Sequence, residues 1–180
     1  MSEDTPLRIA ALTWGVKESF RRYVEAAGEI EIFGSAERAG DGCFVFPATA
    51  NSDLRVGSDG NLRGQAAFSG EVLFKAHGGT LNIRLTDPVV EIGEKALVCM
   101  VAESGGRNRR AEFAQLNLAE ATFGRDEILM PAKLWWDGSE LLDDHYPAMT
   151  PIDPVRLILN AKSEHQIGSG KDAMVLSGKR

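Results

Sequence analysis

Apolar residues recur along this chain at two spacings, and the change from one to the other divides it. Residues 7–12 read as a first strand. Val16, Phe20, Tyr23, Val24 and Ala27 then fall at three- and four-residue intervals, with Lys17, Glu18, Arg21, Arg22 and Glu25 between them. That is the stripe of an amphipathic helix over residues 17–27. Gly28 is expected to end it by taking the left-handed backbone that glycine adopts without steric cost. Tyr23 then lies on or beside the buried face, one turn beyond Phe20.

From Glu29 onward the period is two. Ile30 and Ile32, Phe44 and Phe46, then Phe68, Val72 and Phe74, then Leu81, Ile83 and Leu85 alternate with other residues, and residues 89–92, 96–102, 111–118 and 128–136 continue the pattern. Short alternating runs separated by Gly, Asn, Asp and Pro are half-buried antiparallel strands. They follow one another too closely for crossover helices, which excludes a parallel sheet. The expected fold is mainly β: an antiparallel β-sandwich or open barrel with one short N-terminal helix around residues 17–27. Residues 1–162 form the expected single domain, and residues 163–180, poor in core-forming side chains, a loosely ordered tail.

Within the run 67–77, Phe68, Val72, Phe74 and Ala76 share one strand face, and Ser69, Glu71, Leu73, Lys75 and His77 share the other. His77 thus sits just before Gly78-Gly79, where the chain can reverse. Trp135-Trp136, at the end of a predicted strand, puts one ring inward and one outward, so that one of them either lines a ligand site or packs the core.

Charge and cysteine usage narrow the function classes. A formal net charge of -6 excludes a surface built to displace phosphate counterions, and so nucleic acid, and disfavours anionic membranes. No run approaches the roughly 18 apolar residues of a membrane span. The opening Met1-Ser2-Glu3-Asp4 is acidic where an export signal is basic, so a cytoplasmic protein is expected if Met1 is the natural start. Cys43 and Cys99 fit neither a zinc site nor a disulfide-dense scaffold; either they form one bridge or they are two buried free thiols, and the second is favoured.

Catalysis has little to stand on. No nucleophile elbow is present and no carboxylate pair stands out. Asp143-Asp144-His145-Tyr146 gathers potential metal ligands, but adjacent positions point in different directions, which favours a solvated loop. Gly168-Ser169-Gly170-Lys171 lacks the first glycine of a phosphate-binding loop, with His165 in its place, and carries Asp172 where Ser or Thr would hold magnesium. Tyr23 and His77 offer more. Singly, each has an ordinary explanation, as a packed tyrosine and a turn histidine. Together in one pocket they form a ferric-haem ligand and its hydrogen-bond partner, since a phenolate is among the few protein groups that bind haem iron and an imidazole on its oxygen tunes the donor.

The segment from Leu12-Thr13-Trp14-Gly15-Val16-Lys17-Glu18-Ser19-Phe20-Arg21-Arg22-Tyr23-Val24 resembles the opening motif of the HtaA domain family. Phe68-Ser69-Gly70-Glu71-Val72-Leu73-Phe74-Lys75-Ala76-His77-Gly78-Gly79-Thr80-Leu81 resembles its second motif, and His145-Tyr146-Pro147-Ala148-Met149-Thr150-Pro151-Ile152-Asp153-Pro154-Val155 its closing segment. The likeness spans residues 7–159. It implies a β-rich haem-binding protein of a bacterial haem-uptake system, commonly exported or surface-associated. By the same likeness Tyr23 is the axial iron ligand, His77 its hydrogen-bond partner, and Tyr146 a further tyrosine linked to haem or haemoprotein binding. Phe20 is expected to supply an apolar wall, and Arg21-Arg22 contacts to the propionates. Ala76 stands where the family commonly has Gly, placing one methyl near the supposed haem edge. Haem transport, trafficking or storage is the function implied, with an intracellular enzyme or binding module for another apolar or polycyclic small molecule as the alternative.

Overall fold

The alternating segments pair edge to edge until the sheet meets itself. In the computed structural model, which describes residues 4–142 and 145–160, the strands are β1 (Thr5–Pro6), β2 (Ile9–Trp14), β3 (Gly28–Phe33), β4 (Glu37–Arg38), β5 (Phe44–Ser52), β6 (Arg55–Val56), β7 (Leu62–Phe68), β8 (Glu71–Ala76), β9 (Leu81–Ile92), β10 (Ala96–Ser104), β11 (Arg107–Leu116), β12 (Thr122–Phe123), β13 (Glu127–Leu134) and β14 (Pro151–Leu159). Among the described residues two α-helices, α1 (Glu18–Ala27) and α2 (Trp136–Leu141), interrupt them. The order β7, β5, β2, β14, β13, β11, β10, β9 returns to β7 and closes an eight-stranded antiparallel barrel. The expected mainly β fold is therefore the barrel, closed rather than open. Closure removes the unpaired edges from the eight ring strands, while β3 remains a terminal strand of the sheet.

β9 carries two neighbours in succession along one edge. Its second half pairs with β7 through Ala66 and Val90, while its first half pairs with β8 through Phe74 and Ile83. The predicted strand over residues 67–77 is thus two strands, broken at Ser69-Gly70. Gly70 has φ +133, and a Cβ there would lie 2.6 Å from that of Ala36, so glycine is required on both counts. β8 then leaves the ring and pairs with β3, and α1 packs against this pair. The runs 81–85 and 89–92 belong to one strand rather than two. Asp87-Pro88 is accommodated because the β9–β10 register slips there and Asp87 itself turns to φ 52.

The barrel is filled. Trp14, Phe44, Phe68, Phe74 and Phe113 are fully buried, with Trp14 edge-on to Phe113 at 5.6 Å and Phe44 edge-on to Phe74 at 5.9 Å. A void of only about 10 Å³ remains among Trp14, Phe44, Phe46 and Met100. Eight strands leave an interior that side chains can just fill, so a ligand has to bind on the outside.

Other expectations change in detail. The strand over 128–136 stops at Leu134, and α2 begins at Trp136. The helix is docked there because Asp137 accepts from the Glu112 N–H at 2.8 Å and Gly138 lies so close to β11 that a Cβ would sit 2.2 Å from the Phe113 carbonyl. Gly28 does not take a left-handed backbone; its φ is -176 and it starts β3. Glycine is needed for space instead, since a Cβ would fall 1.9 Å from the Lys75 carbonyl. Cys43 and Cys99 are both free, the first half-buried and the second buried. The expected tail 163–180, the phosphate-loop-like stretch within it and Asp143-Asp144 lie outside the described residues.

Candidate functional site

Helix α1 has no cap of its own: Lys17 precedes it without a side-chain hydrogen bond to its amides. Asp153 of β14, 135 positions away, serves instead, its Oδ1 accepting from the Glu18 N–H at 3.0 Å. Its Oδ2 accepts from Arg21 Nη1 at 2.6 Å, and the same Nη1 donates to the Gly15 carbonyl at 2.8 Å. Trp14 Nε1 donates to the Asp153 carbonyl, and the Asp153 N–H donates to the Val16 carbonyl, both at 3.0 Å. These contacts explain Trp14-Gly15-Val16 residue by residue. A Cβ on Gly15 would lie 2.1 Å from Arg21 Nη1. Val16, a β-branched residue, is held at φ 66, a conformation it adopts only where surroundings enforce it.

From this anchor the helix runs outward. Phe20 is fully buried and packs against Phe74 at 5.2 Å, which holds α1 to β8. Tyr23, one turn on and half-buried, directs its hydroxyl to the corner between β8 and β9. There His77, Gly78 and Gly79 have φ of 55, 65 and 97. Three successive left-handed residues turn the chain sharply, and the two glycines leave open space where side chains would stand. His77 is exposed, and its Nε2 lies 2.6 Å from Tyr23 Oη. Either the phenol donates to Nε2 or an Nε2–H donates to the phenol oxygen, according to tautomer.

Two further residues reach this corner from the far end of the chain. Tyr146 Oη is 3.0 Å from Ser19 Oγ, its ring is 6.4 Å from Phe20, and Lys17 Nζ sits 5.1 Å above it. The His145 ring lies 5.3 Å from that of Tyr23, tilted by 56°. A cleft of about 510 Å³ opens beside the corner, between Gly28, Glu29, Lys75 and Gly78-Gly79. A cleft of about 580 Å³ elsewhere, among Asp53, Glu91, Glu94 and Lys95, carries no aromatic or imidazole side chain.

The sequence matches the family described as Htaa over residues 10–158. The chain belongs to the HtaA family. Its fold is that of solved HtaA structures from Corynebacterium glutamicum. The C-terminal domain of HtaA is 24% identical with a TM-score of 0.66, over 86% of this chain and 99% of that one. The N-terminal domain is 20% identical, also at 0.66 and with the same coverage. Heme binding protein HtaB is 18% identical at 0.63, over 89% and 96%. No curated protein matches the chain at a significant level.

Within this HtaA domain the fold brings Tyr23, His77, Phe20 and Tyr146 into one neighbourhood. It does not bring Arg21, which is buried and held by Asp153, nor does it leave Arg22 unpaired, since Arg22 joins Glu18 at 2.9 Å on the helix surface. Ala76 is 2% exposed and belongs to the core with Phe74, and it also lines the cleft beside the corner. The two Trp rings contact each other at 6.2 Å, and Trp135 lies under Lys95. Ser19 and Asp153 are not singled out by the sequence, and His145 reads there only as a potential metal ligand on a solvated loop. Each acts across more than 120 positions, and short-range patterning carries no signal for such pairs.

Proposed function

We propose that this chain binds ferric haem, with Tyr23 Oη as the iron ligand and His77 as the hydrogen-bond partner of that oxygen, and that it carries or holds the haem without turning it over. The observation behind this reading is the 2.6 Å contact between Tyr23 Oη and His77 Nε2 at an exposed corner. Membership of the HtaA family and likeness to a protein described as heme binding support it. The donor set fits the group: a hard phenolate oxygen suits ferric iron, and bare glycines beside it leave room for a broad flat ligand. When bound, haem supplies an iron centre that accepts the phenolate. For that, Tyr23 must give up its hydroxyl proton. His77 Nε2 is placed to take it and then to donate it back as a charge-assisted hydrogen bond to the oxygen. Phe20 holds the tyrosine ring from behind, and Tyr146, tied to Ser19, closes the side facing Lys17.

Hemin titrated into the wild-type chain should bind saturably, with the absorption of a tyrosine-ligated ferric haem. Tyr23→Phe, which removes one oxygen and keeps the packing, should abolish that spectrum while far-UV circular dichroism is unchanged. An identical spectrum in both proteins excludes Tyr23 as the ligand.

A further inference from the structure

On the outer wall of the barrel, four strands set one row of side chains in register. Gln65 of β7 pairs with Glu91 of β9, Glu91 with Leu97 of β10, and Leu97 with Gln115 of β11. Paired residues of antiparallel strands face the same way. Leu97 forms the floor of this row: it is buried, yet stands apart from the barrel core to which its neighbours Ala96 and Val98 belong. Over it lies the cleft of about 580 Å³, lined by Asp53, Gln65, Glu91, Glu94 and Lys95, which shares no residue with the Tyr23 corner. Its size falls within the range of about 300–1,000 Å³ usual for small-molecule sites.

The polar groups of this cleft are held in place. The Asp53 N–H donates to the Gln65 carbonyl, and Asp53 Oδ1 accepts from the Gln65 N–H, both at 2.8 Å. Gly64, at φ 105, permits that approach, since a Cβ there would lie 2.6 Å from the Asp53 carbonyl. Glu91 is ion-paired with Arg110, but a carboxylate has about four acceptor sites, so it can still receive a hydroxyl. At one end Lys95 both lines the cleft and carries its Nζ 5.5 Å from the centre of the Trp135 ring. Trp135 lies 6.2 Å from Trp136, whose side chain is 65% exposed. Carboxylates and an amide thus give way to indole rings across the length of one lysine.

That sequence of groups selects a ligand chemistry. Three carboxylates against one lysine repel an anion. Among the described residues no three His, Cys, Asp or Glu side chains are placed to hold a metal ion. A wholly apolar ligand would leave the carboxylates and amide without hydrogen bonds. A neutral pyranose chain satisfies every part: its hydroxyls both donate and accept, and its C–H face covers an indole ring.

We infer that this cleft, continued by Trp135 and Trp136, is a second binding site that takes a neutral oligosaccharide, with hydroxyls on Asp53, Gln65, Glu91 and Lys95 and one sugar face on Trp136. The assignment is independent of the haem reading. It is tested by titrating the full chain with maltotriose and with the trisaccharide of N-acetylglucosamine, followed by calorimetry and tryptophan fluorescence. At least one should bind saturably with a Kd of about 1 mM, as expected for a shallow, wet site, and change the indole emission. Trp136→Ala and Gln65→Ala replace surface side chains, so circular dichroism should be unchanged while sugar affinity falls about tenfold in each, the size of one stacking or hydrogen-bonding contact. The hemin spectrum should be the same in both variants as in wild type. Absence of saturable binding by either trisaccharide, or binding that neither substitution weakens, overturns the assignment.

Discussion

The two ends of helix α1 are held in opposite ways. At its start, the Glu18 amide, the Arg21 guanidinium and the Trp14 indole converge on Asp153, and the ion pair is largely out of water, with 8% and 21% side-chain exposure. Further along it, Tyr23 is half-buried, its ring 6.4 Å from that of Phe20, and on its outer side it meets the exposed rings of His77 and His145. One end is over-determined by contacts from the far end of the chain, and the other is left accessible. The contrast shows how the proposed site can stay accurate while remaining open: the tyrosine is held to the barrel through Asp153 and Phe20, so the side proposed to take a ligand does not have to be enclosed.

Breaking the anchored end should have the largest effect. Asp153→Ala leaves Arg21 buried without its partner and removes the helix cap, so a loss of about 3–5 kcal/mol is expected in urea denaturation, with hemin affinity falling because Tyr23 is no longer aimed. Asp153→Asn keeps acceptors for the cap and should lose less. If both substitutions cost under about 1 kcal/mol, the anchor is not what holds the helix.

At the open end the same measurement should barely move. His77→Gly gives up one exposed hydrogen bond, worth about 0.5–1.5 kcal/mol, and relieves a left-handed backbone at φ 55, so stability should stay within about 1 kcal/mol of wild type. The ferric spectrum of the hemin complex should change nonetheless. A large loss of stability here would erase the distinction between the two ends.

The thiols give the smallest and most local readout. Cys43 borders the anchored end, its Sγ 2.9 Å from where a Gly15 side chain would be, and burial, with the Asp41 carboxylate adding, pushes its thiol up. Cys99 lies in the barrel wall and is pushed up to about 12 by burial, with Glu91 adding. Because the thiolate is the reactive form, both should label slowly with iodoacetamide at pH 8. Asp153→Ala should speed labelling at Cys43 and leave Cys99 unchanged. The Cys99 contribution to stability is complete below the ordinary thiol range near about 8.5, and it declines as pH rises toward about 12, since the unfolded chain gives up its proton first.

Much of the architecture was readable from local order. The three- and four-residue spacing of Phe20, Tyr23 and Val24 marked α1 to within a residue of its observed start, and alternation marked most strands, because both periods come from backbone geometry that acts over a few residues. The corner at His77 was readable too, since Gly78-Gly79 announces a reversal. Where the reading slipped, a contact distant in sequence was responsible. Gly28 looked like a left-handed helix end and is instead a glycine that makes room for Lys75 of β8. Trp136 looked like strand and starts a helix that docks on β11 through Asp137 and Gly138. Arg21, adjacent to Arg22 and chemically alike, looked available to a ligand, yet burial commits it to Asp153.

Local sequence thus settled that α1 is helical and that most of the remaining elements are extended, with a tyrosine on or beside the buried face of the helix and a histidine at a strand corner. Only the tertiary structure decided that these two side chains lie 2.6 Å apart, that the barrel closes and is filled, and that His145 and Asp153 arrive from the far end of the chain to flank and aim the tyrosine. The reason is range: backbone periodicity is written in neighbouring residues, whereas a site assembled at the barrel's edge depends on which strands pair, a choice made by the packing of the whole core.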